Sequence, residues 1–333
     1  MGSEIVFTGR RQFELQDYQD APLGLTEVRG RTLATLISPG TELAWAETGN
    51  FPLRPGYAAV YEAEELGRDV RGVSRGDKLL SMGAHRSTQQ FDQRYVLKLP
   101  DALAPETAVL ARLMGVSMTT LMTTAARPGD TVVITGAGPV GYLAAHLCRI
   151  AGYEVSVVEP DPQRNAQARD SGLSVLSKMP VDDAAFVEKV ALVIDCSGHE
   201  GAVLDGCKIV RKKGEVVLVG VPWKAHTGML AHEILHAVFF RFVNLRSGWE
   251  WEVPVVGRDF VWEELYEGYN NAPHTTMTGL AKALTWLARG LVPLAGLVRT
   301  FSPADPTAVY GGLLAREVAE PFAVLDWAAA GLR

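Results

Sequence analysis

From Thr131 the chain reads Thr-Val-Val-Ile-Thr-Gly-Ala-Gly-Pro-Val-Gly141, a glycine pattern with the chemistry of a phosphate cradle. The β-branched run in front of it reads as a strand. Behind it, apolar residues at Val140, Leu143, Ala144, Leu147 and Ile150 follow a helical period that closes near Gly152. In that setting each glycine has a task. Gly136 permits a tight turn, Gly138 lets a pyrophosphate approach the backbone, and Gly141 lets helix and strand pack closely. Pro139 and Val140 then begin a helix whose free N–H groups and partial positive charge face the anion. An acidic residue is expected about twenty residues later, at the end of the second strand, and Glu159 stands there. Its carboxylate would accept from the ribose hydroxyls and repel a 2′-phosphate, which points to NAD. Arg164 is near enough to recruit that phosphate, so NADP stays as the alternative. A second string, His232-Glu-Ile-Leu-His236, fits the pattern of zinc proteases. No third ligand stands near it in sequence, and it reads as one face of a helix.

The elements that position these residues change character along the chain. From Ile5 to about Leu99, short apolar stretches are broken by Pro39-Gly40, Pro55-Gly56 and Gly76-Asp77, the habit of an irregular, mostly β domain. A helical stretch runs from Pro105 to about Thr124. Strands then alternate with helices, at Thr131–Thr135, Val155–Glu159, Ser174–Leu176, Leu192–Asp195 and Val216–Gly220. Such near-continuous β-branched runs suit a parallel sheet buried on both faces. Asp161-Pro162 reads as a helix N-cap and first position. The tail Val298–Trp327 is expected to return to the first domain. Three segments follow: 1–120, a substrate domain; 121–255, a nucleotide-binding domain; and 256–333, returning to the first. The fold class is α/β, a doubly wound parallel sheet with a mostly-β partner domain.

Bulk properties agree. A chain of 333 residues suits two packed domains, and 47% hydrophobic with 21% charged residues is the balance of a soluble globular protein. A net charge of −6 gives no electrostatic reason to bind nucleic acid or an anionic membrane. No apolar run reaches the ~18 residues of a spanning helix. The three cysteines, Cys148, Cys196 and Cys207, are too few for a disulfide framework, so a reducing cytoplasm is the expected home. The partner expected of such a chain is a small-molecule substrate, with a homodimer as the assembly.

Taken in order, the motifs resemble the medium-chain dehydrogenase/reductase superfamily over nearly the whole length. Ser38-Pro-Gly-Thr-Glu42 resembles its first substrate-site loop, Pro55-Gly-Tyr57 its Pro-Gly-His-Glu segment, and Gly76-Asp-Lys-Leu79 its Gly-Asp-Arg-Val turn. The fingerprint follows. Then come Val193-Ile-Asp-Cys-Ser-Gly198 and Gly214-Glu-Val-Val-Leu-Val-Gly220, which resemble the strands flanking the nicotinamide. The resemblance implies a GroES-like first domain beside a Rossmann domain, with Cys196, Ser197 and Gly220 close to the cofactor.

The departures speak to the chemistry. Where zinc-dependent members place a Cys, a His and a third ligand, this chain has Ser38 or Pro39, Tyr57 and a position near Arg112. None of these is a zinc ligand of the usual kind. No cysteine precedes Cys148, so the four-cysteine lobe is missing too. The expectation is no zinc, in a branch resembling bacteriochlorophyllide dehydrogenase-like and polyol or sugar dehydrogenase-like proteins. Hydride transfer without a metal needs a side chain to exchange a proton with the substrate oxygen. The candidates are His85, Tyr57 and Thr41. His85 is slightly ahead, being the only histidine of segment 1–120 and having a suitable unperturbed pKa, with a structural histidine bonding the backbone as the equal alternative. Trp45 and Trp249 suit a substrate cleft or a subunit interface equally. The activity expected is interconversion of a secondary alcohol and a ketone, on a polyhydroxylated or ring substrate. The alternatives are a zinc-free quinone- or enoyl-type C=C reductase and a catalytically silent nucleotide-binding protein.

Overall fold

The computed structural model describes residues 2–257 and 274–332. The chain divides into two compact units, and the first is assembled from separated pieces: Met1–Leu113, Val256–Gly290 and Leu294–Arg333, of which 258–273 lie outside the described residues. The second is Met114–Val255 with Leu291–Pro293. No helix among the described residues is long and apolar enough to cross a membrane.

The second unit holds a six-stranded sheet, all parallel. From edge to edge its strands are Ser174–Leu176, Glu154–Val158, Thr131–Thr135, Val190–Asp195, Val210–Leu218 and Asn244–Ser247. In chain order this is 3-2-1-4-5-6, the doubly wound arrangement, whose order reverses between the first and fourth strands. Val132, Val133, Ile134, Leu192, Val193, Val216 and Val217 are fully buried, as strands covered on both faces require. The fingerprint helix is Pro139–Ile150, and the next, Pro162–Asp170, is capped by Asp161 accepting from Gln163 N–H and Arg164 N–H.

The first unit is built on a seven-stranded mixed sheet. Its path runs Val298–Phe301, Phe322–Asp326, Glu27–Leu36, Ala59–Leu66, Lys78–Ser81 and Leu97–Lys98, with Thr88–Asp92 also pairing to the long central strand. The tail therefore does return to the first domain, through Phe322–Asp326 beside Glu27–Leu36. A hairpin of Gly2–Gly9 and Gln12–Tyr18 packs Phe7 and Phe13 on Tyr310, with all three ring centroids 4.9 Å apart. One element departs from the loop expected at Ser38–Glu42. Pro39–Thr48 is an α-helix, with Pro39 in its first turn, where a missing N–H does no harm. Thr41, Glu42 and Trp45 thus stand on a helix, within one unit with Tyr57, His85 and Arg112.

Candidate active site

The second unit offers a cradle for a dinucleotide. Gly136 adopts φ +84° and donates its N–H to Val158 O (2.8 Å), turning the chain at the sheet's reversal point. A Cβ on Gly141 would lie 1.9 Å from Gly136 O, so only glycine allows this helix to approach its strand. Gly138 is the N-cap and has no side chain to satisfy the first N–H groups of the helix. A Cβ built there would meet no atom within 4 Å, so open space faces the helix start. Pro139 and Val140 form the first turn. This arrangement fits a pyrophosphate.

Glu159 is buried at the end of the second strand, and its carboxylate already has two backbone partners: Ala137 N–H to Oε2 (2.7 Å) and Asp161 N–H to Oε1 (2.8 Å). It therefore shapes the glycine turn. A carboxylate has about four acceptor positions, so two remain for ribose hydroxyls. Arg164 Nε stands 3.6 Å from Glu159 Oε2, and this pairing weakens the charge that would repel a 2′-phosphate. Asp195, which the sequence reading left without a role, organises the next loop. Its side chain accepts from the Thr135 hydroxyl, Ser197 N–H (3.1 Å) and Gly198 N–H (3.0 Å), and its carbonyl accepts from Gly220 N–H (2.6 Å). The signal available beforehand was an acidic residue closing a wholly apolar strand. Cys196 lies beneath the turn, its Cβ 3.2 Å from where a Gly141 Cβ would be. Burial, helped by Asp195, pushes its thiol well above the usual range, so it packs as a thiol rather than acting as a nucleophile. Trp249, also in this unit, is exposed.

The first unit brings together Tyr57, Thr41, Ser38, Trp45 and Arg112. The half-buried Tyr57 has the Ser38 and Thr41 hydroxyls close enough to favour its ionised form. Trp45 meets its ring edge-on at 6.3 Å, and the Arg112 guanidinium carbon lies 4.9 Å from its centroid. Burial holds the Tyr57 pKa above the usual tyrosine value, and the Glu42 charge adds to this. The two hydroxyls and the Arg112 cation oppose it. Tyr57 is therefore a protonated hydroxyl at neutral pH, flanked by a cation.

His85 stands beside this group in a buried network of its own. Its side chain is fully buried, with Nε2 3.0 Å from Glu42 Oε2 and Nδ1 2.8 Å from Thr35 Oγ1. Trp327 Nε1–H donates to Thr35 Oγ1 (2.9 Å), which extends the network beyond the imidazole. Tyr310 donates to the same Glu42 oxygen (2.6 Å), and Ser38 N–H to the other (2.8 Å). Every polar atom of the imidazole is thus committed. His85 and Glu42 hold the helix that presents Thr41. Thr35, Tyr310 and Trp327 were not singled out from the sequence, being far from His85 along the chain.

A zinc ion does not suit the residues at the expected positions. Ser38 and Tyr57 supply neutral hydroxyls, and Arg112 brings a positive charge where a divalent cation needs anionic or imidazole donors. His232 and His236 do share the helix Ala231–Arg241, their rings 6.0 Å apart. Glu233 between them accepts from Leu230 N–H (3.2 Å) and so closes its own helix start. Among the described residues no group of His, Cys, Asp and Glu side chains could hold a metal ion.

A family model described as zinc-binding dehydrogenase matches residues 139–246. Human sorbitol dehydrogenase is 25% identical over 291 residues, covering 72% of this chain and 82% of that protein. Two other curated relatives are each 28% identical: an Agrobacterium fabrum protein carrying the name D-xylulose reductase, and a 2-dehydro-3-deoxy-L-galactonate 5-dehydrogenase from Pseudoalteromonas atlantica. The chain spans only 47% and 42% of their lengths. Among solved structures, galactitol-1-phosphate dehydrogenase from Escherichia coli superposes with a TM-score of 0.79 at 13% identity, over 97% of this chain and 99% of that one. A quinone oxidoreductase from Pseudomonas syringae pv. Tomato DC3000 gives 0.75 at 19%, over 98% and 100%. At such identities the likeness is one of fold. In its ordered motifs, its matched domain and its fold, the chain is similar to the medium-chain dehydrogenases and reductases.

Proposed function

We propose that the protein is a nicotinamide-dependent oxidoreductase that interconverts a secondary alcohol and a ketone, on a polyhydroxylated or ring substrate, without zinc. The observation that carries this is Tyr57. A protonated hydroxyl, beside the Ser38 and Thr41 hydroxyls and flanked by a cation, stands at the position that the sequence resemblance assigns to a metal ligand. The dinucleotide, when bound, supplies or accepts the hydride. Gly136, Gly138, Gly141 and the first turn of Pro139–Ile150 would hold its pyrophosphate, and Glu159 its ribose, which favours NAD over NADP. Tyr57 exchanges the proton with the substrate oxygen, Thr41 and Ser38 orient that hydroxyl, and Trp45 forms an apolar wall beside it. Sorbitol dehydrogenase among the relatives supports a polyol-like substrate.

The assembly we propose is a homodimer, through the second unit's outer sheet edge. Phe239, Phe242, Val238 and Val243 line a groove of about 650 Å³ with Lys212, Lys213 and Asn244, the first residue of the edge strand Asn244–Ser247, and Phe239 is 75% exposed. A second copy pairing along that edge would cover both the strand's open backbone and the aromatic side chains.

The test is turnover, read by reduced-nicotinamide absorbance, on a panel of polyols, cyclic alcohols, their ketones and activated C=C substrates, with bound zinc quantified. Alcohol–ketone turnover that survives chelation is expected. Turnover confined to C=C substrates, or one zinc per chain with activity lost on chelation, would overturn the reading.

A further inference from the structure

Arg112 is 2% exposed, yet it carries a full positive charge. Its guanidinium carbon is 4.9 Å from the Tyr57 ring centroid, within the ~6 Å reach of a cation–π contact. We infer that Arg112 is the electrostatic stand-in for a metal, a positioning residue that stabilises the tyrosinate formed when Tyr57 gives its proton to the substrate oxygen. This rests on the oxidoreductase reading above and assigns the charge that reading needs.

In the reducing direction the Tyr57 O–H bond breaks and its proton goes to the carbonyl oxygen. The hydride goes to the carbonyl carbon, and the C=O becomes CH–OH. The phenolate left behind would be buried close to the Glu42 charge, which disfavours it. Glu42 cannot turn away, because its oxygens are tied to Ser38 N–H, His85 and Tyr310. The Ser38 and Thr41 hydroxyls donate to the phenolate but bring no net charge. Arg112 brings a positive charge to that ring. A zinc ion would polarise the substrate oxygen directly, whereas here the positive charge acts one group further back, through the phenol. After turnover the phenolate takes a proton from water, which restores the starting state. In the oxidising direction the same charge raises the share of tyrosinate available as base.

At an effective dielectric constant near 20, a unit charge roughly 5–8 Å from an ionising group moves its ionisation by about two pH units. The protein is labelled with fluorotyrosine, which brings phenol ionisation into a pH range that folded proteins tolerate. The Tyr57 titration is then isolated as the difference between the labelled protein and its Tyr57→Phe variant. Arg112→Gln should move that titration up by about two pH units, and Arg112→Lys, which keeps a charge, should restore part of it. In turnover, Arg112→Gln should lower kcat at least ~10-fold with dinucleotide Kd unchanged, and should cost nothing further on a Tyr57→Phe background. A Tyr57 titration that stays put in a folded Arg112→Gln variant, judged by its dinucleotide Kd, overturns the inference. A titration that shifts in a protein with no turnover on any panel keeps the Arg112–Tyr57 coupling and overturns the oxidoreductase reading instead.

Discussion

His85 Nε2 lies 3.0 Å from Glu42 Oε2, and neither side chain is exposed to solvent. The pair ties the strand-end loop bearing His85 to the helix Pro39–Thr48, and Thr35, Tyr310 and Trp327 complete the network. The role is architectural. His85→Gln should destabilise the fold by about 1–3 kcal/mol, the range for leaving buried polar partners unsatisfied. Denaturant unfolding measures that loss. At a temperature where the variant is folded, kcat should stay within a few-fold of wild type. A collapse of kcat with full stability would return His85 to the chemistry.

Glu159 serves both the glycine turn and the expected ribose site, so its removal has two consequences. Glu159→Ala frees Ala137 N–H and Asp161 N–H, loosening the cradle, and removes the charge facing a 2′-phosphate. Calorimetric titration should show NAD binding weakened ~10-fold or more and the gap to NADP narrowed. Wild-type protein that already prefers NADP would contradict the assignment of Glu159.

These two cases show which parts were legible in the sequence. The strands Thr131–Thr135 and Ser174–Leu176 and the Asp161 cap were readable because local signals specify them: β-branched runs, and an Asp-Pro pair at a helix start. The helix Pro39–Thr48 was hidden. Pro39-Gly40 reads as a turn, and the apolar Leu43, Ala44, Trp45 and Ala46 run consecutively instead of marking one face. The role of His85 was hidden for a different reason. Its network joins Thr35 to Trp327 across 292 positions and Glu42 to Tyr310 across 268, and no local pattern encodes such contacts. The sequence therefore left a reactive and a structural His85 equally open, and its buried partners could not be read from it. Tyr57 and Arg112 were legible as departures from a ligand set, but the stacking of one on the other was not.

His146 predicts an acid sensitivity. It is buried in the helix Pro139–Ile150 against Tyr142, and burial, aided by the Arg149 charge, pulls its pKa down from 6.5 to about 4. A histidine depressed in the folded state binds its proton more readily when unfolded. Its neutral form thus gives stability that is full above pH ~6.5 and drains as pH falls towards 4, by up to about 3 kcal/mol. Urea unfolding across that window should show the slope in wild type and a flatter one in His146→Leu. Equal slopes would show that His146 does not set it.

The proposed dimer edge has a simple test. Phe239→Glu places a charge in the aromatic groove beside Asn244–Ser247 and should give a monomer by light scattering, with dinucleotide Kd retained. A wild-type protein that is already monomeric, or a variant that stays dimeric, would remove that edge as the interface.

The most direct measurement is kcat for Tyr57→Phe, in chelated protein at saturating dinucleotide. The substitution deletes one hydroxyl and keeps the ring between Trp45 and Arg112. Turnover should fall ~10²–10⁴-fold, the usual worth of a positioned proton donor, with dinucleotide Kd unchanged. Near-normal turnover would show that the proton travels by another route, and the account of this site would be wrong.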